Sequence, residues 1–250
     1  MINVYKTKTM QEKYNTATHN PFFNKHQIPI SHMLVSGASA SGKSNFVTNL
    51  IMQMNDTFAK VVVVSKVPDE PIYDMLKHEL EDQFESYTLS NVPKLVSFEK
   101  PNDSQYLMIF DDFTAEKQPI FDKLLEYGIR SRKEKIMCIF LVPDFFLDKI
   151  KTLRQQCPCL VLLSIASQGT LGLIAKRLAI KVHNNIVTMC IENALEYKLN
   201  ACIINTTAGT PTNKKIRRNF TDFYELTQRK NGKEIVLDEI ELYDEDVIIN

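Results

Sequence analysis

Residues 37–44 read Gly-Ala-Ser-Ala-Ser-Gly-Lys-Ser. They fit the pattern G-x-x-x-x-G-K-[ST], whose chemistry is the cradling of a phosphate chain. Glycines let the backbone fold tightly, so that successive N–H groups aim at phosphate oxygens. A helix opening directly afterwards adds the partial positive charge of its N-terminus. The candidate nucleotide-binding residues are therefore Gly37, Ala38, Ser39, Ala40, Ser41, Gly42, Lys43, Ser44 and Asn45. Lys43 is placed to bridge the β- and γ-phosphates, and the Ser44 hydroxyl to hold Mg²⁺.

A second group of residues completes such a site. Tyr106–Phe113 reads Tyr-Leu-Met-Ile-Phe-Asp-Asp-Phe, an apolar strand that ends in two acids. Asp111 is positioned to accept from the water shell of the Mg²⁺. Asp112, directly after it, can orient and deprotonate an attacking water. That pattern points to hydrolysis of a γ-phosphate rather than binding alone. The alternative for Asp112 is an exposed turn acid beside a metal site. A guanine-reading Asn-Lys-x-Asp is missing, because Asn213-Lys214-Lys215-Ile216 lacks the acid. ATP is favoured over GTP.

These loops need a scaffold, and the chain supplies one of α/β class. His32–Val35 is a short apolar run entering the glycine loop. Phe46, Val47, Leu50, Ile51 and Met54 then share one helical face. Val61–Val64, Tyr106–Phe110, Ile136–Val142 and Cys159–Leu163 read as strands buried on both faces. Helical spacing is expected over Ile72–Phe84, Pro119–Tyr127, Phe145–Arg154 and Leu171–Ala179. The alternation predicts βαβ units and a mainly parallel five-stranded sheet covered by helices. Beyond residue 185 the pattern changes. Ala201–Ile204 fits a strand, and Asn231–Gly232 fits a hairpin turn between Tyr224–Gln228 and Ile235–Leu237. The expected organisation is a flexible arm over 1–27, a core over 28–185, and a C-terminal extension over 186–250 with a β appendage and an acidic tail.

On these residues the sequence resembles the viral genome-packaging ATPases of the FtsK–HerA group, of poxvirus and virophage type. The resemblance runs from about Pro29 to about Leu178, roughly three-fifths of the chain. It is carried by Pro29–Ser36 entering the phosphate loop and by Ile109-Phe110-Asp111-Asp112-Phe113. Ser131-Arg132-Lys133 before the fourth strand and Leu153-Arg154-Gln155-Gln156 before the fifth also match. The resemblance implies an additional-strand P-loop NTPase fold, a homo-oligomeric ring, and double-stranded DNA driven into a preformed capsid. It implies capsid or vertex proteins as further partners, and a host-cell cytoplasm, virus factory or virion setting. One departure stands out: Leu141-Val142-Pro143-Asp144 puts proline where the family carries a polar sensor, and proline has neither side-chain donor nor N–H.

In a ring, an arginine from one subunit can stabilise charge in the next subunit's site. Arg132 and Arg154 are the candidates, and a solvated loop is the alternative for each. Asn213-Lys214-Lys215-Ile216-Arg217-Arg218 is the densest basic run. It reads either as a sequence-independent contact to phosphate backbone or as a solvated surface. The last 20 residues hold seven acids and one lysine, which fits a solubilising tail or a dock for a basic partner.

Composition bounds these readings. The chain has 250 residues, is 44% hydrophobic and 24% charged, and is ordinary for a globular protein. Thirty basic and thirty acidic residues give zero formal charge, so any nucleic-acid surface must be local. The longest clean apolar run, Ile136–Val142, is too short for a membrane span. The five cysteines lack zinc-finger spacing and read as reduced thiols. Two rivals remain open: a small P-loop nucleotide kinase, and a nucleotide-gated assembly factor with little turnover.

Overall fold

A computed structural model of the chain describes residues 32–54, 57–95, 105–178, 180, 183–207, 210 and 214–224. Its strands are β1 (Met33–Ser36), β2 (Lys60–Ser65), β3 (Phe84–Thr88), β4 (Tyr106–Phe110), β5 (Ile136–Val142), β6 (Cys159–Leu162), β7 (Cys202–Asn205), β8 (Ile216–Arg218) and β9 (Asp222–Phe223). Its α-helices are α1 (Lys43–Gln53), α2 (Pro71–Leu80), α3 (Gln118–Arg130), α4 (Lys151–Gln155), α5 (Gln168–Arg177) and α6 (Asn184–Ala194). The strands form one sheet in the order β3-β2-β4-β5-β1-β6-β7-β8-β9. The six from β3 to β6 in that order are parallel, and β7, β8 and β9 join antiparallel. Strand β5 thus lies between β1, which feeds the phosphate loop, and β4, which ends at the two acids.

Why the central strands are legible is plain from their packing. Side chains alternate across a strand, so each strand feeds two layers. Leu34, Val62, Met108, Phe140 and Leu160 pack with α3, α5 and α6 on one face. Met33, Val35, Val61, Ile109 and Val161 pack with α1 and α2 on the other. Both faces are covered, which favours apolar residues at nearly every position, with Ser36 and Ser65 as the buried polar residues that end β1 and β2.

The parallel set has one strand more than the apolar runs suggest. The expected helix over Ile72–Phe84 stops at Leu80, and Phe84 begins β3. As an edge strand β3 buries only Phe84 fully, so Phe84-Glu85-Ser86-Tyr87-Thr88 carries little apolar signal. The expected helix Phe145–Arg154 shrinks to α4, preceded by a 3₁₀ turn at Asp148–Ile150. Helix α6 adds to the expected elements, and the C-terminal β appendage, β7 to β9, joins the core sheet beyond β6. The arm over 1–27, the hairpin turn at Asn231–Gly232 and the acidic tail lie outside the described residues. Among the described residues no helix is long and apolar enough to cross a membrane.

A buried polar link fixes the start of β1. His32 is 3% exposed, and its Nδ1 accepts the Cys138 N–H at 3.1 Å. Its Nε2 lies 3.4 Å from the Ser131 hydroxyl, which in turn donates to the Tyr127 carbonyl. Burial, with the nearby Arg132 charge second, pushes the His32 pKa down to about 4. The folded value lies below the unfolded one. The neutral ring's contribution is therefore complete above about pH 6.5 and is lost as the pH falls toward 4, amounting to about 3 kcal/mol. Denaturant titrations at pH 7 and pH 4.5 check this. His32→Gln is expected to be less stable than wild type at pH 7, with a smaller further loss on acidification. Equal losses for the two proteins would contradict the assignment.

Candidate nucleotide site

The phosphate loop springs from β1 and lies between the ends of its two neighbours. Gly37 N–H donates to the Val142 carbonyl at the end of β5 at 3.1 Å, and Leu163 N–H donates to the Ser36 carbonyl at 2.9 Å. Ala38 N–H donates to the Ser164 hydroxyl, just past β6, at 2.9 Å. The loop turns on left-handed residues, Ala40 at φ 59° and Gly42 at φ 92°. Gly42 is where the sequence needs glycine, since it takes that conformation at no steric cost. At Gly37 a Cβ would fall 2.4 Å from the Ser41 hydroxyl, so the loop closes tightly on itself. Helix α1 begins at Lys43, directly after Gly42, and no side chain caps its first N–H groups.

Lys43 folds back onto the loop, where its ammonium donates to the carbonyls of Gly37 at 2.8 Å and Ala38 at 3.0 Å. Burial lowers its pKa, and the charges of Asp111 and Asp112 oppose that shift. Across the gap, the Ser44 hydroxyl sits 3.5 Å from Asp111 Oδ2. Asp111 is 5% exposed and is held on three sides. Its Oδ2 accepts from Tyr73 at 2.6 Å, its Oδ1 accepts the Asp112 N–H at 2.9 Å, and its own N–H bonds Val64. Burial is the main cause that raises its pKa, and the Tyr73 bond works against it. Asp112 is exposed and left-handed at φ 52°, a conformation aspartate tolerates. It leaves the strand end with its carboxylate free to reach solvent.

Several neighbours of these residues were not apparent from sequence. Tyr73 and Glu70 come from the start of α2. The charges of Asp111 and Asp112, second to burial, raise the Glu70 pKa. Ser164 holds the loop amide. No linear spacing announces any of them, because they meet the loop only through the sheet order. A pair of oxygens from Ser44 and Asp111, within a cluster of mutually repelling carboxylates, fits Mg²⁺. That ion takes few protein oxygens and completes its shell with phosphate and water. Among the described residues no group of three or more His, Cys, Asp or Glu could cage a metal without such help.

The two candidate arginines lie elsewhere. Arg132 is exposed just before β5, which runs parallel to β1. It is thus at the opposite end of the sheet from the phosphate loop, roughly 20 Å of strand away. Arg154 donates to the Phe145 carbonyl and packs over the Phe145 ring at 4.8 Å. It borders a surface pocket with Leu34, Arg177 and Lys215, on the sheet face opposite α1. Neither reaches the loop of its own chain. The basic run also divides. Arg217, 2% exposed, lies over the Phe223 ring at 5.0 Å, and Arg218 pairs with Asp222 at 3.0 Å. These arginines hold β8 to β9 and are not a free surface for phosphate. Lys214 remains exposed, and Asn213 lies outside the described residues.

A parallel sheet with a strand inserted between the phosphate-loop strand and the acidic strand defines an additional-strand P-loop NTPase fold. Solved structures agree. The genome packaging NTPase B204 from Sulfolobus turreted icosahedral virus 2, in complex with AMPPCP, superposes with a TM-score of 0.51 at 14% identity. That match covers 76% of this chain and 97% of B204. The cytoplasmic domain of the Thermomonospora curvata type VII secretion ATPase EccC gives 0.53 at 12% identity, covering 78% of this chain and 25% of EccC. The chain therefore spans nearly all of B204 and about a quarter of EccC. At these identities the likeness shows a shared fold, and it is consistent with the FtsK–HerA resemblance in the sequence. Neither a family model nor a curated protein sequence matches the chain.

Proposed function

We propose that the chain is a Mg²⁺-dependent ATPase that moves double-stranded DNA, working as a homo-oligomeric ring that fills a viral capsid. The observation that carries the hydrolytic part is the meeting of three groups. Lys43 sits on the phosphate loop, Ser44 faces Asp111 at 3.5 Å, and Asp112 follows as an exposed carboxylate. The loop amides and Lys43 would hold the phosphates. Ser44 and Asp111 would hold the Mg²⁺, which supplies charge neutralisation at the β- and γ-oxygens when bound. Asp112 would accept a proton from the attacking water. The DNA-moving part is supported by the fold shared with B204 over nearly its whole length. Arg132, exposed just before β5, and Arg154, over the Phe145 ring, are both candidates for the charge supplied to a neighbouring subunit's site.

Phosphate release tests this directly, with and without long double-stranded DNA and at two salt concentrations. Wild type is expected to turn over faster with DNA, and less so at high salt. Lys43→Ala is expected to lower turnover at least about a hundredfold, as loss of a preorganised charge at the transferring group does. DNA-independent turnover would remove the motor reading and leave the ATPase.

One observation favours a second reading, a nucleotide-gated assembly factor. Pro143 follows β5 without a polar side chain. Asp144 spends a carboxylate oxygen on its own turn, accepting the Phe146 N–H at 3.0 Å. Nucleotide-dependent binding of capsid protein without steady phosphate release would support that reading.

A further inference from the structure

Strand β7 runs antiparallel to β6, with Cys202 opposite Leu162. Its start therefore lies at the sheet end that carries the phosphate loop. The connection from α6 into β7, Leu195–Asn200, crosses that end. Two of its apolar side chains are left in solvent: Tyr197 is 63% exposed and Leu199 57%. Leu199 is the residue that touches the loop. A Cβ built on Gly42 would fall 3.0 Å from its Cδ2. So a leucine methyl lies against the bare backbone that opens α1.

Folding alone does not account for this leucine. Its φ is 72°, a left-handed conformation that costs a γ-branched residue free energy, and it buries less than half its surface in return. The conformation is held from both sides. Asn200 N–H donates to the Tyr197 carbonyl at 3.2 Å, and the Asn200 side-chain oxygen accepts from Asn219 at 3.2 Å. Asn219 also caps the Ala201 N–H at 2.9 Å. The next residue, Phe220, stacks on Phe46 of α1 at 5.2 Å and 18°. The connection is thus tied to the same helix whose N-terminus would hold phosphate. An open pocket of about 490 Å³, bounded by Leu163, Ser164, Leu171 and Glu192, meets the start of this connection at Leu195.

We propose that Leu199 and Tyr197 form the resting surface for the purine base of the bound nucleotide, with Leu199 covering Gly42 and Tyr197 packing on the base. This rests on the phosphate loop holding a nucleotide. Apolar and aromatic surface has affinity for any base face and little for its edges, so the platform contributes affinity rather than base identity.

The test compares two probes, Mg·ATPγS and Mg·tripolyphosphate, by equilibrium titration. The variants are Tyr197→Ala and Leu199→Gly, the glycine keeping the left-handed backbone without strain. Each variant is expected to weaken ATPγS about tenfold, within the range of a lost base–aromatic contact, and to leave tripolyphosphate within about twofold. Unchanged ATPγS affinity, or equal weakening of both probes, overturns the platform while the phosphate site stands. Failure of the wild type to bind either probe overturns both.

Discussion

Asp112→Asn is expected to lower ATP turnover by two to four orders of magnitude while ATP still binds, the range expected for loss of a general base. The reasoning starts from the backbone. Asp112 is turned out of the strand end at φ 52°, and asparagine adopts that conformation as readily as aspartate. The Asp112 N–H still reaches Asp111 Oδ1, so the metal-side carboxylate keeps its support. What is removed is one exposed carboxylate, the proposed acceptor of the attacking water's proton. Single-turnover hydrolysis and ATPγS binding, measured on one preparation, separate the two effects. A fall of only a few-fold would mean that another carboxylate takes the proton. Glu70 is then the next candidate, because Asp111 and Asp112 both act on its titration. Asp112→Asn combined with Glu70→Gln would then be the decisive pair.

The same residues show what a linear sequence can and cannot reveal. Gly37–Ser44 and Asp111–Asp112 are legible because each is a local device at the end of a strand buried on both faces. Strand burial makes Tyr106–Phe110 and Ile136–Val142 unbroken apolar runs, and the runs mark where the loops must emerge. Residues that reach the site through tertiary contact leave no such mark. Tyr73 looks like one more apolar position of α2, yet its hydroxyl donates to Asp111. Ser164 follows β6 as an ordinary loop serine, yet it binds the Ala38 amide because β6 is the neighbour of β1. Strand β3 is hidden by its edge position, which leaves most of its side chains partly exposed. The run Lys214–Arg218 misleads in the other direction. Charge alone suggests surface, but pairing with β7 and β9 draws Arg217 inward over Phe223. Ser131 leaves no mark of its own either, yet its buried hydroxyl ties α3 to His32.

Asp111→Asn is expected to move activity and stability in opposite directions. Burial raises the pKa of Asp111, so in the folded chain without nucleotide the ionised form is disfavoured relative to the neutral one. The sign follows from that. A carboxyl whose folded pKa lies above its unfolded value destabilises the fold above the folded pKa, and the cost disappears below the unfolded one. At pH 7 the charge is therefore a cost to folding. Asparagine carries no charge, keeps one oxygen to accept the Asp112 N–H, and turns its NH2 toward the Tyr73 oxygen, which can accept from it. The melting temperature of the nucleotide-free protein should rise in Asp111→Asn. Turnover should fall about a hundredfold or more, because the proposed Mg²⁺ ligand is gone. Mg²⁺ with ATPγS gives a third readout. It stabilises wild type by mass action, and most of the Mg²⁺-dependent part of that gain should be absent from the variant. A lower melting temperature without nucleotide would show that the Asp111 charge helps hold β4 to its neighbours. The residue would then be structural as much as metal-binding. A higher one, with the Mg²⁺ response lost, identifies a carboxylate kept in a buried position against the interest of the fold, for the sake of the ion it binds.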